Sequence, residues 1–138
     1  MSCVFCAIAD GSVPAHVVLD EPDVVGFLDA RPVFKGHVLL VPRAHVPTLL
    51  EAPADVLATL MEAAQRTAAA VVDALGAQGS FVAMNNVVSQ SVPHLHVHVV
   101  PRTKGDGLRG FFWPRTRYAD EAEAGGYAAR LAAALRRP

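Results

Sequence analysis

The sequence predicts an α+β domain built on a mainly antiparallel sheet. Several short apolar runs are joined by turn residues, as expected for antiparallel strands, and one longer segment repeats apolar residues at helical spacing. The chain has 138 residues, of which 52% are hydrophobic and 18% are charged. A single folded domain therefore has enough apolar material for its own core.

Five runs are predicted to be strands because they are short, apolar and bounded by turn residues. Glu21-Pro22-Asp23 supplies the turn of a first hairpin, and Lys35-Gly36 introduces a nearly all-apolar third strand. The predicted strands cover residues 15–20, 23–29, 37–43, 80–85 and 94–100.

Two segments are predicted to be helices. From Pro53 to Leu75, apolar residues recur every three or four positions, with Pro53 near the first turn and Gly76 as the stop. A shorter helix is predicted over residues 127–136, where one apolar stripe is formed by Tyr127, Leu131 and Leu135.

Charge and hydropathy exclude several classes of partner. The net charge of −1 argues against a broad electrostatic surface for nucleic acid or membrane, so a nucleotide ligand must be held by a local pocket. No run of about 18 apolar residues is present, and the first residues, MSCVFCAIADG, do not resemble a signal peptide. We therefore expect a cytoplasmic protein without a nucleic-acid or membrane partner.

Three of the six histidines alternate with apolar residues between His94 and His98. In an extended strand alternate side chains share one face, so His94, His96 and His98 should emerge together. Crowded imidazoles cannot all be charged at neutral pH, which suits a metal ligand, a nucleophile or a proton carrier. The isolated His16 and His37 are interpreted as packed or surface residues.

Short polar side chains stand before this triad and at a strand end. Asn85, Asn86, Gln90 and Ser91 offer hydrogen bonds that suit phosphate oxygens, or they serve as ordinary turn residues. Their position just before the histidines favours the phosphate interpretation. Asp29 follows a predicted strand, where it could accept two ribose hydroxyls or cap the strand end.

The only two cysteines form a Cys3-x-x-Cys6 pair. A disulfide across so short a loop constrains little. A thioredoxin-like redox pair should follow a strand and open a helix, which the extreme N-terminus is not expected to offer. Half of a zinc site fits better, with redox or packed thiols as the alternatives.

Taken together, these motifs resemble the histidine-triad superfamily of nucleotide hydrolases and transferases, abbreviated HIT. The likeness is to its Hint-like and bacterial branch, with diadenosine-polyphosphate hydrolases as close relatives, and it runs from about Cys3 to Arg102. The galactose-1-phosphate uridylyltransferase branch has a different triad and is much longer. The resemblance rests on Phe27-x-Asp29-x-x-Pro32-x-x-x-Gly36-His37-x-Leu39-x-Val41-Pro42-Arg43-x-His45 and Gln90-Ser91-Val92-x-His94-x-His96-x-His98.

The resemblance implies a HIT fold, a five-stranded antiparallel sheet with one long helix and a C-terminal helix. Residues 1–138 then form one domain, with the motifs in 3–102 and a divergent extension in 103–138. It also implies a homodimer whose sheets join across the interface. Phe111-Phe112-Trp113-Pro114-Arg115 lies outside the shared motifs and either packs on the dimer or reaches the leaving group, with packing favoured.

The resemblance further implies cleavage of the α-phosphate bond of a nucleoside 5′-monophosphate derivative, of the phosphoramidate type. His96 matches the nucleophile that carries a transient nucleotidyl group, and His98 matches the residue beside the phosphate and leaving group that assists proton transfer. Ser91 and Gln90 match phosphate or leaving-group contacts. Asp29 matches the ribose-binding acid. One of Asn85 and Asn86 should hold the α-phosphate, and the walls around the base, or part of the core, are Phe5, Ile8, Phe27 and Leu28.

A purine nucleoside, adenosine, is the expected ligand because the pocket candidates are apolar and Asp29 suits ribose. One alternative is a dinucleoside polyphosphate hydrolase, and another is a nucleotide-binding or interaction protein with vestigial activity. A zinc module without nucleotide binding is disfavoured, because zinc would not require Asp29, Gln90 or Ser91.

For the cysteines, the resemblance implies a structural zinc ion held by Cys3, Cys6, His45 and His94, a tetrahedral set with no open position. One feature departs from the family: only Val87-Val88-Ser89 separates Asn86 from Gln90, where many members have a longer, glycine-containing loop. Backbone contacts from this loop to phosphate are therefore not carried over.

Overall fold

The computed structural model describes residues 2–109 and 115–136 and divides the chain into two compact units, Met1–Asp106 and Gly107–Pro138. The first unit contains the sheet and two α-helices, and the second contains the C-terminal helix. None of the described helices is both long enough and apolar enough to cross a membrane.

The first unit is a five-stranded sheet in which all neighbouring strands are antiparallel, as the sequence predicts. The strand order is β1-β2-β3-β5-β4, so β1 and β4 form the two edges. The strands are β1 (Val17–Asp20), β2 (Val24–Leu28), β3 (Val38–Pro42), β4 (Gly79–Ala83) and β5 (Val97–Arg102).

One face of the sheet is covered by the long helix α2 (Ala54–Leu75), within one residue of its predicted range. Pro53 precedes its first turn, and Gly76 ends it with a left-handed backbone angle, φ 71°, which glycine adopts without steric cost. Leu60 of α2 packs against alternate residues of the strands, including Leu40 and Val97, in the main apolar core.

The opposite face is covered by a short helix, α1 (Val4–Ala9), that the sequence does not predict. Cys3 caps it, because its sulfur accepts a hydrogen bond from the Cys6 backbone N–H. The expectation that the Cys-x-x-Cys pair would not open a helix is therefore wrong, although no strand precedes it. Phe5 of α1 packs against the second core cluster, formed with Val25, Phe27, Leu39 and Val41.

Strand β5 begins at Val97, three residues later than predicted. Its pairing with β3 ends at Leu40–Val97, and the preceding Leu95 N–H instead donates to the Val46 carbonyl oxygen over 2.7 Å. There the His94 ring Nε2 lies 2.8 Å from the Pro42 carbonyl oxygen, so a side chain occupies an acceptor at the end of β3. Similarly, β4 spans 79–83 and stops two residues before the predicted end.

The second unit contains α3 (Glu121–Leu135), which begins six residues before the predicted start. Asp120 caps this helix by accepting a hydrogen bond of 2.8 Å from the Glu123 backbone N–H, and Gly125-Gly126 obscured the first turns in the sequence pattern. None of the described side chains of α3 is buried. Of the segment 111–115, whose contacts were predicted, residues 111–114 lie outside the described residues.

Candidate active site

A cavity of about 1010 Å³ lies where α1 approaches the sheet. Its apolar walls include the four residues predicted to surround a base, Phe5, Ile8, Phe27 and Leu28. Phe5 and Phe27 are only 7% and 3% exposed and their ring centroids are 5.4 Å apart, so they belong to the core and to the wall at once. The volume is ample for a nucleotide-sized ligand.

The three histidines lie on one side of the chain, as predicted, and that side faces α1. Leu95, Val97 and Val99 belong to the core beneath α2, whereas the rings of His94 and His96 contact Phe5. Strand alternation thus separates the apolar residues from the histidines. Of the three histidines, His96 and His98 line the cavity.

His96 is buried, and its ring nitrogen Nδ1 lies 2.7 Å from the backbone carbonyl oxygen of His94. A carbonyl oxygen only accepts hydrogen bonds, so Nδ1 must carry the proton. The lone pair of the neutral ring is consequently on Nε2. This tautomer is the one that a nucleophilic imidazole requires.

A hydrogen bond from His37 determines the tautomer of His98. The Val33 backbone N–H donates to Nδ1 of His37 over 3.1 Å, so a neutral His37 carries its proton on Nε2. That nitrogen lies 2.9 Å from Nδ1 of His98 and donates to it. The remaining proton of His98 is therefore on Nε2, where it is a hydrogen-bond donor.

Burial lowers the pKa of His98 to about 4, with repulsion from His96 and His37 adding to the effect and Asp29 opposing it. Burial also lowers the pKa of His37, again opposed by Asp29, whose Oδ2 lies 3.7 Å from His37 Nε2. Both imidazoles are therefore neutral near pH 7.

His37 is the functional candidate that interpretation of the sequence missed. It is packed, with 3% exposure, but it also donates a hydrogen bond to His98 and lies 3.7 Å from the Asp29 carboxylate. The available signal was its position in the Gly36-His37-x-Leu39 part of the motif. His16, also interpreted as unremarkable, is exposed and borders the cavity.

The predicted polar contacts divide into two groups. Asp29 and Ser91 border the cavity, and Asp29 Oδ1 accepts a 2.9 Å hydrogen bond from the Arg31 backbone N–H. Gln90 and Asn86 instead bind the surrounding loops: Gln90 Nε2 donates to the Pro47 carbonyl over 2.7 Å, and Asn86 Oδ1 accepts from the Leu49 N–H over 2.8 Å. Their phosphate contacts stay predictions.

The short loop after Asn86 has a strained backbone. Val87 and Ser89 adopt positive φ angles of 70° and 61°, a left-handed conformation that is unfavourable for a β-branched valine. The Val87 N–H donates to Gln90 Oε1 over 2.9 Å, which holds the loop in this shape. The Gln90 side chain is thus a brace for the shortened loop.

Cys3, Cys6, His45 and His94 converge as predicted, with their ligand atoms all within 4.8 Å of one another. His94 Nδ1 lies 3.3 Å from Cys3 Sγ, 3.5 Å from Cys6 Sγ and 3.2 Å from His45 Nδ1. Donors around a tetrahedral zinc ion are about 3.3–3.8 Å apart, given its usual bond lengths. The four residues therefore form a metal-binding group of suitable size.

His94 joins this group to the active site. Its Nε2 donates to the Pro42 carbonyl, which leaves the lone pair on Nδ1, the atom aimed at the cysteines and His45. The backbone carbonyl oxygen of His94 accepts the hydrogen bond from the His96 Nδ1–H. The residue that would bind the metal thus also fixes the tautomer of His96.

Asp29, His37 and His98 form a second cluster within 4.8 Å. Here the hydrogen bonds argue against a metal, because His37 accepts at Nδ1 and so keeps its proton on Nε2, the atom that faces the cluster. The cluster is better described as a hydrogen-bonded pair of imidazoles, His37 and His98, with the Asp29 carboxylate 3.7 Å from His37 Nε2.

An apolar cavity with a buried, tautomer-fixed histidine pair defines a candidate hydrolase or transferase site, and comparison with known proteins identifies the family. The model of the HIT domain matches residues 10–105. This chain belongs to the HIT domain family.

Two relatives illustrate the likeness. A HIT-like protein of Methanocaldococcus jannaschii is 40% identical over 107 residues, covering 76% of this chain and 82% of the relative. An adenosine 5′-monophosphoramidase of Schizosaccharomyces pombe is 30% identical over 116 residues, covering 83% of this chain and 84% of the relative.

Solved structures agree with the fold. A HIT family member from Bacillus subtilis superposes with a TM-score of 0.88 at 28% identity and covers 100% of both chains. A zinc-bound histidine triad family protein from Mycobacterium smegmatis has a TM-score of 0.76 at 37% identity, covering 97% of this chain and 98% of that one.

Proposed function

We propose that the protein is a nucleotide hydrolase that cleaves the α-phosphate bond of a nucleoside 5′-monophosphate derivative, AMP–X, of the phosphoramidate type. The observation that carries this proposal is the fixed tautomer of His96, whose unprotonated Nε2 belongs to a ring that borders the cavity. The fission-yeast relative, an adenosine 5′-monophosphoramidase, supports the same reaction.

In the first step, His96 Nε2 attacks the α-phosphorus and the bond from phosphorus to the leaving group breaks. The leaving group departs with the bonding electron pair and takes up one proton. The neutral His98 assists this step by donating a hydrogen bond from its Nε2–H to the phosphate or the leaving atom, and it keeps that proton, because losing it would leave an imidazolate. The proton taken up by the leaving group comes from solvent. Ser91, at the cavity edge, adds a hydroxyl contact.

In the second step, water attacks phosphorus and the bond to His96 breaks. Water supplies the hydroxyl of the product nucleotide, and its other proton replaces the one taken by the leaving group. The net reaction consumes one water and returns both imidazoles to their starting tautomers. Their fixed hydrogen bonds to His94 and His37 favour that return.

The nucleotide would be held by groups that border the cavity. Asp29 would accept the ribose hydroxyls, and the purine would lie between Phe5, Ile8 and the strand residues Phe27 and Leu28. For the α-phosphate we favour Asn85, which is not one of the residues that line the cavity, because Asn86 and Gln90 already bind loop backbone atoms. Within residues 2–109 and 115–136, the Asn85 side chain makes no hydrogen bond.

Cys3, Cys6, His45 and His94 would hold a structural zinc ion. When bound, the ion would supply a rigid cross-link between α1 and the segment before β5, since all four positions are taken by protein ligands. The zinc-bound mycobacterial structure supports this metal. Thiols in such a group suit a reducing compartment, which supports a cytoplasmic location.

A homodimer with a continuous sheet is also part of the proposal. Strand β4 lies at an edge of the sheet, where a strand of a second copy could extend it. Light scattering after size exclusion tests it, with a mass near 29 kDa expected, twice the 14.6 kDa of the chain.

Turnover of adenosine 5′-phosphoramidate by the wild type and by His96→Ala tests the reaction. We expect a loss of roughly a thousandfold or more in the variant, together with acid-labile nucleotidyl label trapped only on the wild type. His16→Ala is the matched control, because it removes an exposed histidine that borders the same cavity but is not part of the triad. Inactive but folded wild type would contradict the proposal.

Two alternatives make different predictions. A dinucleoside polyphosphate hydrolase would act on diadenosine polyphosphates and leave the phosphoramidate intact. A binding protein with vestigial activity would bind AMP in the cavity, and its biological effect would survive His96→Ala.

A further inference from the structure

A groove lies on the face of the sheet opposite the histidines, where α2 passes over strands β1, β2 and β3. Its volume is about 790 Å³. Among the described residues, Leu28 is the only one that borders both this groove and the cavity that holds His96 and His98. The groove is therefore a separate space from the candidate active site.

The walls of the groove are apolar side chains that remain in contact with water. Val18 of β1 and Leu75 of α2 border it and are 54% and 56% exposed. Ala70 and Ala74 line it from successive turns of α2, since residues four apart share one side of a helix. Their small side chains leave the groove open, and an apolar ligand in it would gain by removing Val18 and Leu75 from water.

The two ends of the groove carry different cations. At one end, Arg66 of α2 forms a bidentate ion pair with Glu21, over 2.7 and 2.8 Å, which compensates its charge. At the other end, Lys35 borders the groove, and its ammonium has no hydrogen bond or ion pair with any residue in 2–109 and 115–136. No Asp or Glu of those two ranges lines the groove. The uncompensated charge is thus positive and lies at one end.

The groove offers few hydrogen-bonding groups along its length. The Thr67 hydroxyl, which borders it, already donates to the Ala63 carbonyl over 2.8 Å, and Arg66 is held by Glu21. A peptide segment laid in the groove would leave backbone N–H and C=O groups without partners, which is costly. A hydrocarbon chain has no such groups and suits these walls better.

We propose that this groove binds a free medium-chain fatty carboxylate, with the chain lying along α2 and the carboxylate on the Lys35 ammonium. The groove extends from Arg66 to Leu75, a span of about 14 Å at the rise of an α-helix. An extended hydrocarbon advances about 1.25 Å per carbon, given ordinary C–C bond lengths, so a chain of about ten carbons fills this span. The volume lies within the usual range of ligand pockets.

Calorimetry on the wild-type protein with hexanoate, octanoate, decanoate and tetradecanoate tests the length. We expect the affinity to rise about fourfold for each methylene up to decanoate, the gain expected for a buried CH₂, and to level off beyond it. An affinity that does not depend on chain length, or that rises at the same rate up to tetradecanoate, overturns the inference.

A comparison of decanoate with decanol tests the role of Lys35. We expect decanoate to bind about tenfold more tightly to the wild type, and Lys35→Met to abolish this difference. Lys104→Met is the matched control, because Lys104 is the only other lysine of the chain and does not line the groove. Equal binding of decanol and decanoate to the wild type overturns the assignment of a carboxylate.

Ala70→Phe should fill the groove and weaken decanoate binding at least tenfold. Its matched control is Ala69→Phe, one position along the same helix and outside the groove lining. Both alanines are exposed, so neither change should disturb the core. Equal losses in the two variants, or no loss in Ala70→Phe, contradict binding in this groove.

NMR locates the ligand, because the active-site cavity also has apolar walls. Decanoate should shift the methyl resonances of Val18 and Leu75, which border only the groove, and leave the ring protons of Phe5 and His96 unchanged. Shifts confined to Phe5 and His96 would place the chain in the active-site cavity and overturn the inference.

Discussion

The two faces of β5 and the segment before it show how one stretch of chain serves stability on one side and chemistry on the other. Leu95, Val97 and Val99 are fully buried beneath α2, in a layer made of apolar side chains. The intervening histidines are also largely buried, yet each is held by a specific hydrogen bond or a potential metal. On the α2 face, apolar side chains of similar volume can replace one another. On the α1 face, the chemistry depends on which ring nitrogen carries each proton.

Removing the metal should have the largest effect on stability, and that effect should be confined to the α1 face. If zinc fills the Cys3, Cys6, His45 and His94 group, chelation should lower the free energy of unfolding by about 4 kcal/mol, the linkage expected when free metal exceeds its Kd about a thousandfold. Hydrogen exchange should quicken in α1 and around His94 and stay slow in α2. An equal increase in hydrogen-exchange rate on both faces would contradict the view that the two faces are stabilised separately.

Truncating adjacent residues compares the faces directly. Leu95→Ala removes a fully buried side chain from the α2 layer and should cost about 3 kcal/mol of unfolding free energy. His96→Ala leaves that layer intact and should cost about 1 kcal/mol, while abolishing turnover. Urea denaturation and kcat measurements on both variants check this. Similar stability losses would mean that the faces are not distinct.

Lowering the pH should destabilise the histidine face selectively. The pKa of His98 falls to about 4 in the folded protein from its ordinary value of 6.5, so between these values the unfolded chain binds more protons. The free energy of unfolding should therefore decrease as pH falls from about 6.5 towards 4. His98→Asn should flatten this decrease, since its amide oxygen can still accept from His37 Nε2. An identical pH profile would exclude His98 as the cause.

The sequence predicted the parts of both faces that follow from periodicity. The α2 helix was found to within one residue because Pro53 and Gly76 mark its ends. The six-residue α1 was missed because a helix of about one and a half turns is too short to show a helical period. Its apolar residues are also interleaved with the two cysteines, which were interpreted only as a ligand pair.

The sequence could not predict the side-chain contacts between segments that are distant along the chain. His37 was interpreted as an isolated residue because its link to His98 spans 61 positions and depends on the pairing of β3 with β5. The internal binding of Gln90 and Asn86 likewise follows from the short loop that separates them, whose backbone angles have no signature in residue type.

That loop provides the smallest predicted effect. Val87 has a φ of 70° and is 68% exposed, so its left-handed conformation costs free energy that burial of the side chain does not offset. Val87→Gly should therefore stabilise the protein by about 1 kcal/mol. Val88 is 79% exposed with no positive φ, so the matched Val88→Gly should destabilise by a similar amount through chain entropy. Opposite signs in urea denaturation would establish that the valine strain lies at Val87 and not at Val88, whereas a loss of stability in both would mean that the loop is held by its valine side chains.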